Sequence, residues 1–583
     1  MSDEIRHECG VALVRLLKPH EYYRAKYETS DWGGTKLSLL LEKQHNRGQD
    51  GAGAAILRAH PVPGESAYTV FRSASSTPLA DILGQLGRRG SSSGGDCAFL
   101  GHLRYATFGK GDVSCCHPFV HKSSCLARTL LLAGNFNLTD NADLLKRYVA
   151  LGHHPDSLAD GYLITQTIAH FIGRAMDESG AVDMASVLRR ALRDVDGAYT
   201  LCGMTADCWS FAVRDPNGIR PGFYYANEDA VVVASERPAI QAAFDCAPDA
   251  VKEIPPGSAV VVSPEGDCAV RNVLPQGERK SCSFERIYFS RANDGAIHRE
   301  RKALGASLVK PVLASVDGDL GSTFFSYIPN SAQVAFHGLL EELIRTSSRQ
   351  SDGDCPQSYG DCPQIRFGQI AVKDAKFRTF IADAAARREF YKHVYDVTYG
   401  LVRPGEDTLV VLDDSIVRGN TMKRAILPML DRLGPRRIVI ASSAPPIRYP
   451  DCYGIDMSTL GELVAFRALV NLLDGERAAG RSEKDANAIL AEALKSGAEN
   501  PLAALYARFS DEMQSAEIAR LLTPPGMKAE VKVVFQTVEA LHASCPGSAG
   551  DWYFTGDYPT KGGYRVLHRA LENYLEKSND RPY

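Results

Sequence analysis

The segment TLVVLDDSIVRGNT, residues 408–421, constrains this chain more than any other. Its uninterrupted Leu and Val run reads as a buried strand, and a helix is expected from about residue 420. A second apolar strand, RRIVIAS, ends at 442, so strand–helix–strand spacing predicts parallel βαβ units. At the carboxyl end of the first strand stand Asp413 and Asp414, followed by a loop from Ser415 through Arg418, Gly419 and Asn420 to Thr421. Loop amides and hydroxyls at a helix N-terminus make an anion site. Two carboxylates directly before it suit a phosphorylated ligand that also carries sugar hydroxyls or bound Mg²⁺. A helix cap would account for one Asp, but not for the pair together with Ser, Arg, Gly and Thr.

The chain's 583 residues exceed what one core supports, so more than one domain is expected. Before about residue 275 the pattern differs: short strands near 9–17, 69–72, 98–106, 128–133, 199–204, 209–214, 230–234 and 258–263 are grouped with helices near 36–45, 141–150, 160–177 and 184–194. Strands grouped this way predict an α+β layered domain, and the later βαβ units an α/β one. Two segments read as insertions: 346–364, where DCPQ occurs twice, and the Ala/Glu/Lys-rich 471–498, expected to be a surface helix or helical hairpin. A net charge of -4 offers no basic field for nucleic acid. No apolar run is long enough for a membrane span, and MSDEIRHE lacks the apolar core of a secretory signal, so a cytoplasmic address is expected. Fourteen cysteines without a CxxC pair argue for small buried hydrophobes rather than disulfides or zinc.

Cys9 is the exception. It opens the first strand in ECGVA, and if residues 1–8 are removed its own α-amine becomes a candidate general base. An α-amine with pKa near 8 is partly neutral at pH 7 and can take the thiol proton without a His partner. Ordered downstream motifs surround it: HNRGQDGAG (45–53), GHLRYATFG (101–109), AGNFNLTD (133–140) and LADGY (158–162). Together these resemble the N-terminal-nucleophile glutamine amidotransferases. The resemblance implies that Arg104 clamps the glutamine α-carboxylate with Thr107 beside it, that Asp160 holds the α-amine, and that Arg47 belongs to the same glutamine site. A guanidinium suits a carboxylate through two parallel N–H bonds. Asn135 and the backbone N–H of Phe136 would face the oxyanion.

The 409–421 stretch resembles the phosphoribosyl-diphosphate signature of type I phosphoribosyltransferases, in the form carried by amidophosphoribosyltransferases. CSFERIYFSRAND (282–294), APPIRYPDCYGIDM (444–457) and GDYP (556–559) are similar to segments of the same family. The resemblance implies a four-layer αββα Ntn-hydrolase sandwich followed by a Rossmann-like parallel-sheet phosphoribosyltransferase domain. The boundaries expected are 1–8 propeptide, 9–275 glutaminase and 276–583 transferase. It implies that Asp413 and Asp414 hold ribose hydroxyls, that Ser415–Thr421 wraps the 5-phosphate, and that Arg378 belongs to a lid. It further implies Mg²⁺ at Ser331, Asp413 and Asp414, purine nucleotides as feedback inhibitors, and a homodimer or homotetramer. The reaction implied is the opening step of purine synthesis, with glutamine as nitrogen donor.

This sequence departs from the family in several places. The usual Asn-Gly of the oxyanion segment is Asn135-Phe136, and the PDSG-like segment is PNSA (329–332), which exchanges an acidic residue for Asn330. In the lid, VKDAKFRTFI keeps only the 378–381 match, leaving Lys376, Arg387 or Lys392 to supply charge toward pyrophosphate. Cys282 and Cys452 match two of four iron–sulfur ligands, while Gly550 and Tyr553 replace the others, so no cluster is expected. Two other functions stay compatible with the sequence: delivery of ammonia to a different phosphorylated sugar, and a non-catalytic nucleotide- or sugar-phosphate-binding regulator.

Overall fold

The computed structural model describes residues 8–89, 95–106, 109, 111–351, 365–373, 395–455 and 457–582. Thr107 and Arg378, and with them Lys376, Arg387 and Lys392, lie outside these residues.

The amino-terminal part is built on two antiparallel sheets. Seven strands, in spatial order Lys252–Glu253, Phe223–Ala226, Ala230–Ala234, Gly10–Leu16, Asp96–Arg104, Gly51–Arg58 and Tyr68–Ser73, form the first. Six strands, Cys268–Asn272, Ser258–Val262, Ser210–Arg214, Gly197–Thr205, Leu130–Leu138 and Phe119–His121, form the second. Val11, Leu13, Leu100, Leu131, Met204 and Val260 pack between them. On the outer face of the first sheet, Leu37, Leu40 and Leu41 of the helix Trp32–Lys43 meet Val14, Phe99 and Val232. On the outer face of the second, Leu163, Ile164 and Ile168 of the helix Asp160–Ser179 join Leu130 and Leu132. The layers are therefore αββα. Gly10–Leu16 is central and buried on both faces, and so reads as an apolar run interrupted only by Arg15. Each such buried aliphatic side chain contributes roughly 1.5–3 kcal/mol of transfer free energy.

The carboxyl-terminal part carries a five-stranded parallel sheet, ordered Arg366–Phe367, Thr323–Tyr327, Thr408–Asp413, Arg437–Ser442 and Glu530–Phe535. Its central strands alternate between two cores: Leu409, Val411, Ile438 and Ile440 face one, Val410, Leu412, Val439 and Ala441 the other. Covered on both sides, the sheet holds Asp413 at its carboxyl edge, where parallel α/β sheets place ligands. The stretch 471–498 is carried by the helices Val464–Ala478 and Ala486–Lys495.

A further core joins the two parts. Ala198 and Ile219 from the sandwich pack with Cys282, Phe284, Tyr453, Trp552 and Tyr553. The Asn137 side chain donates to the Cys452 carbonyl at 2.5 Å, and Asp196 accepts from the Thr560 hydroxyl at 2.6 Å.

Candidate active site

Cys9 precedes the central strand directly, so its thiol sits at the strand's amino end, next to the end of the antiparallel neighbour Asp96–Arg104. The Tyr105 N–H donates to Cys9 Sγ at 3.3 Å. Burial pushes the Cys9 thiol up to about 11, opposed by the Tyr105 amide and the Arg104 guanidinium. Arg104 is buried, and its Nη1 donates to the Gly109 carbonyl at 3.1 Å. Asp160 opens the helix Asp160–Ser179 and accepts from the Gly161 N–H at 2.7 Å. Burial raises its carboxyl, while Arg104 is among the cations opposing that rise. Charges of Arg104, Asp160 and Arg47 all act on Cys9, so the fold brings together residues far apart in sequence.

Asn135 is buried in the strand Leu130–Leu138, and its side-chain amide donates to Glu8 Oε2 at 3.3 Å. Phe136 lies opposite Tyr199 within the same regular strand and needs no left-handed backbone of the kind glycine provides. Glu8 is itself buried and ion-paired with Arg220. The residue before Cys9 therefore occupies the amide expected to serve the oxyanion.

Arg47 has a different setting from the other glutamine-site candidates. Its guanidinium is 1% exposed and enclosed by carboxylates: Nε meets Glu236 at 2.7 Å, while Nη1 and Nη2 meet Glu285 at 3.1 and 2.5 Å. Saturated in this way, Arg47 ties the loop 45–53 to the segment 285–290, and it reaches Glu8 only at 3.8 Å. Glu236, Glu285 and Arg220 escaped the sequence reading, because no local pattern marks a buried charge whose partner is remote. The stacked imidazoles His102 and His117, 3.9 Å apart, escaped it too. They grip Gly134, the neighbour of Asn135, through its carbonyl and N–H. Burial pushes His102 down to about 3 and His117 well below its ordinary value, so both are neutral supports.

At the second site, Asp413 Oδ1 accepts from the Asp414 N–H at 2.9 Å. Asp414 accepts from the hydroxyls of Ser331 and, at 3.2 Å, Ser415. Burial raises the Asp414 carboxyl despite these bonds. Ser331 comes from the loop after the neighbouring strand, so parallel pairing converts a separation of more than eighty positions into contact. Arg418 Nε is held by Glu462 at 2.7 Å, which anchors the loop from outside. Gly419 has φ +76, and a Cβ there would lie 2.2 Å from the Leu522 side chain, so the loop requires glycine. Asn420 and Thr421 lead into the turn Met422–Ile426. The oxygens of Asp413, Asp414 and Ser331 suit a hard cation such as Mg²⁺, which keeps several ligands from water or phosphate. Among the described residues no group of three or more His, Cys, Asp or Glu side chains forms a metal cage.

No family model matches the chain. It is 31% identical over 441 residues to the amidophosphoribosyltransferase of Bacillus subtilis, an alignment covering 73% of this chain and 79% of that protein. The chain belongs to the amidophosphoribosyltransferase family. It is an enzyme of the first step of purine biosynthesis. The amidophosphoribosyltransferase of Methanocaldococcus jannaschii is 29% identical over 454 residues, covering 73% of this chain and 83% of that one. The fold agrees along nearly the whole length. A solved glutamine phosphoribosylpyrophosphate amidotransferase from B. subtilis, complexed with ADP and GMP, superposes with a TM-score of 0.66 at 23% identity over 95% of this chain and 97% of that one. A structure described as the allosteric regulatory enzyme of purine biosynthesis gives 0.65 at 25% identity, covering 95% and 96%.

Cys282 and Cys452 are the two positions that the sequence resemblance set against iron–sulfur ligands of some family members. Here the Cys282 thiol lies 2.8 Å from the Tyr553 hydroxyl, and Cys282 bridges to Gly550 through the backbone. Trp552 packs against Tyr453 and donates its indole N–H to Asp451 at 2.8 Å. Aromatic side chains occupy the neighbourhood of both cysteines.

Among the described residues, no helix is long and apolar enough to cross a membrane.

Proposed function

We propose that the chain hydrolyses glutamine at Cys9 and passes the ammonia to phosphoribosyl diphosphate bound at Asp413–Thr421, giving 5-phosphoribosylamine, glutamate and diphosphate. The observation carrying this reading is that Cys9, Arg104, Asp160 and Asn135, from four separate segments, converge in one half of a chain whose other half ends a parallel strand in Asp413, with Asp414 directly after it.

In this reading residues 1–8 leave first, a glutaminase domain spans 9–275 and a transferase domain 276–583. Loss of Glu8 frees the Asn135 amide and exposes the Cys9 α-amine. That amine accepts the thiol proton as sulfur attacks the carboxamide carbon of glutamine. Asn135 Nδ2 and the Phe136 N–H donate to the oxyanion, and the amide nitrogen takes a proton and departs as ammonia. Water then cleaves the thioester to glutamate. Arg104, with Thr107, binds the substrate carboxylate and Asp160 its ammonium. Arg47 serves this site through its ion pairs.

At the second site Asp413 and Asp414 hold the ribose hydroxyls, while Ser415, Arg418, Gly419, Asn420 and Thr421 wrap the 5-phosphate and Arg378 covers the diphosphate. Ammonia attacks C1 as the C1–O bond to diphosphate breaks. Asp413, Asp414 and Ser331 would hold Mg²⁺, which would supply charge neutralisation for the leaving group. An iron–sulfur cluster is not part of this reading. Purine nucleotides, such as those bound to the B. subtilis relative, are proposed to compete at the same loop. A cytoplasmic homodimer or homotetramer is the proposed form.

The test is to incubate pure protein with glutamine, Mg²⁺ and phosphoribosyl diphosphate and to follow glutamate and diphosphate together. Equal release of both is expected. Glutamate without diphosphate would refute transfer to this sugar, and neither product would refute the catalytic reading.

A further inference from the structure

The segment 282–294 holds a single turn of i→i+5 helix, Glu285–Phe289, closed by the Ser290 N–H donating to the Glu285 carbonyl at 3.1 Å. Such turns are uncommon and cluster at functional positions. Here the turn is gripped from two sides. From the sandwich, the Arg47 guanidinium binds the Glu285 carboxylate in bidentate fashion and also reaches the Ser290 hydroxyl at 3.3 Å. That hydroxyl in turn donates to Glu285 Oε2 at 2.5 Å.

From the transferase side comes Arg301, on the helix Gly295–Ser307. It is 3% exposed. Its Nε donates to the Arg286 carbonyl and its Nη2 to the Ser290 carbonyl, both at 2.7 Å, so one planar side chain clamps the turn near each end. Among the described residues Arg301 forms no ion pair, which is unusual for a buried guanidinium. Burial lowers it to about 10, and of the surrounding charges the Asp414 carboxylate opposes that fall most.

The helix carrying Arg301 is rigidly joined to the substrate loop. A Cβ on Gly305 would lie 1.7 Å from the Ala335 carbonyl oxygen, and one on Gly338 would lie 2.0 Å from the Lys302 carbonyl oxygen. This helix and Gln333–Ser351 thus touch backbone to backbone, and the latter begins just after Ser331, whose hydroxyl binds Asp414. A path of packed backbone and buried polar contacts runs from Asp414 and Ser331 through Arg301 and Ser290 to Glu285 and Arg47, beside Cys9.

We propose that Arg301 is a positioning residue that couples the two sites, holding the turn Glu285–Ser290, and through it Arg47, in the arrangement that supports glutamine hydrolysis when the phosphate loop is filled. The chemistry gives coupling a purpose, since ammonia released toward an empty acceptor site is lost to protonation in water. The inference rests on the two-site reaction proposed above. Arg301 touches neither substrate; it acts through the Ser290 and Arg286 carbonyls.

Full-length Arg301→Lys keeps the charge and loses the two-carbonyl clamp, while Ser290→Ala leaves that clamp and removes only the hydroxyl between Glu285 and Arg47. For each, three rates are measured: ammonia-dependent phosphoribosylamine synthesis, glutamine hydrolysis alone, and glutamine hydrolysis with phosphoribosyl diphosphate. Arg301→Lys is expected to retain the first two within about twofold. It should lose about fivefold or more of the stimulation by phosphoribosyl diphosphate, the lower end of ordinary coupling factors, and release glutamate in excess of diphosphate. Ser290→Ala should shift in the same direction by less, and it decides the matter if Arg301→Lys does not fold. Wild-type coupling in Ser290→Ala and in any folded Arg301→Lys would overturn the proposal, as would a parallel fall of all three rates. A wild-type protein that makes no phosphoribosylamine from ammonia would instead sink the transfer reaction itself.

Discussion

If the Cys9 thiol is activated by the amine that removal of residues 1–8 uncovers, its reactivity must differ between the uncleaved and cleaved chains by an amount the structure sets. In the uncleaved chain burial moves the thiol from 9.0 to about 11. Two pH units leave about a hundredfold less thiolate at neutral pH. A more basic thiolate is also a better nucleophile, and a Brønsted slope of 0.4–0.5 returns a factor of roughly 6–10. The net expectation is alkylation about 10–15-fold slower than for an ordinary thiol, with a rate still climbing about tenfold per pH unit beyond 9. In the cleaved chain the adjacent α-amine, with pKa near 8, takes the proton and removes this handicap. If residues 1–8 are removed after synthesis, protein sampled early in expression should contain both forms, which differ by residues 1–8 and separate by intact mass. Treated with iodoacetamide in one tube across pH 6.5–10, the cleaved form should label at Cys9 about tenfold faster at pH 7.5. Equal labelling, or an uncleaved form whose rate levels off near pH 9, would refute the reasoning.

Two further outcomes follow from the same sites. Asp413→Asn combined with Asp414→Asn should leave glutamine hydrolysis measured without phosphoribosyl diphosphate intact and remove phosphoribosylamine formation, checked by separate glutamate and diphosphate assays; retained transfer would displace the phosphate site from this loop. Asp160 carries a raised carboxyl, and in its proposed role on the substrate ammonium it must be ionised, so KM for glutamine should rise on acidification at a higher pH than for an ordinary carboxylate. Asp160→Asn should raise KM about 10–150-fold, as expected for a charged hydrogen bond worth about 1.5–3 kcal/mol, and abolish that acid limb in a KM-against-pH profile.

Several elements were legible before any coordinates. Gly10–Leu16, the first part of Leu130–Leu138, Thr408–Asp413 and Arg437–Ser442 are mainly apolar runs whose neighbours offer no competing helical period. Others were not. Gly51–Arg58 hides its strand in GAGAAILR, where small residues carry little β-propensity and burial between neighbouring strands decides the state. Thr323–Tyr327 and Glu530–Phe535 gain their identity from parallel partners up to a hundred residues away. The helix Pro78–Arg89 has a strong apolar face, Ile82 and Leu86, but also two internal glycines that weaken the local signal.

The chemistry divides in the same way. By itself the sequence pointed to candidate reacting groups, because a thiol before a strand and a carboxylate pair before a phosphate turn are local arrangements, and local spacing survives folding. It therefore singled out Cys9 and Asp413–Thr421 and, with the motifs around them, the family. Tertiary structure alone decided what surrounds them: Glu8 on Asn135, the His102–His117 stack beneath it, and Arg47 turned away into Glu236 and Glu285. It also decided that Arg301 reaches across to Ser290. A buried charge must find its partner wherever the packed chain leaves one, since burial without compensation costs several kcal/mol, and that partner's place in the sequence carries no periodicity to read.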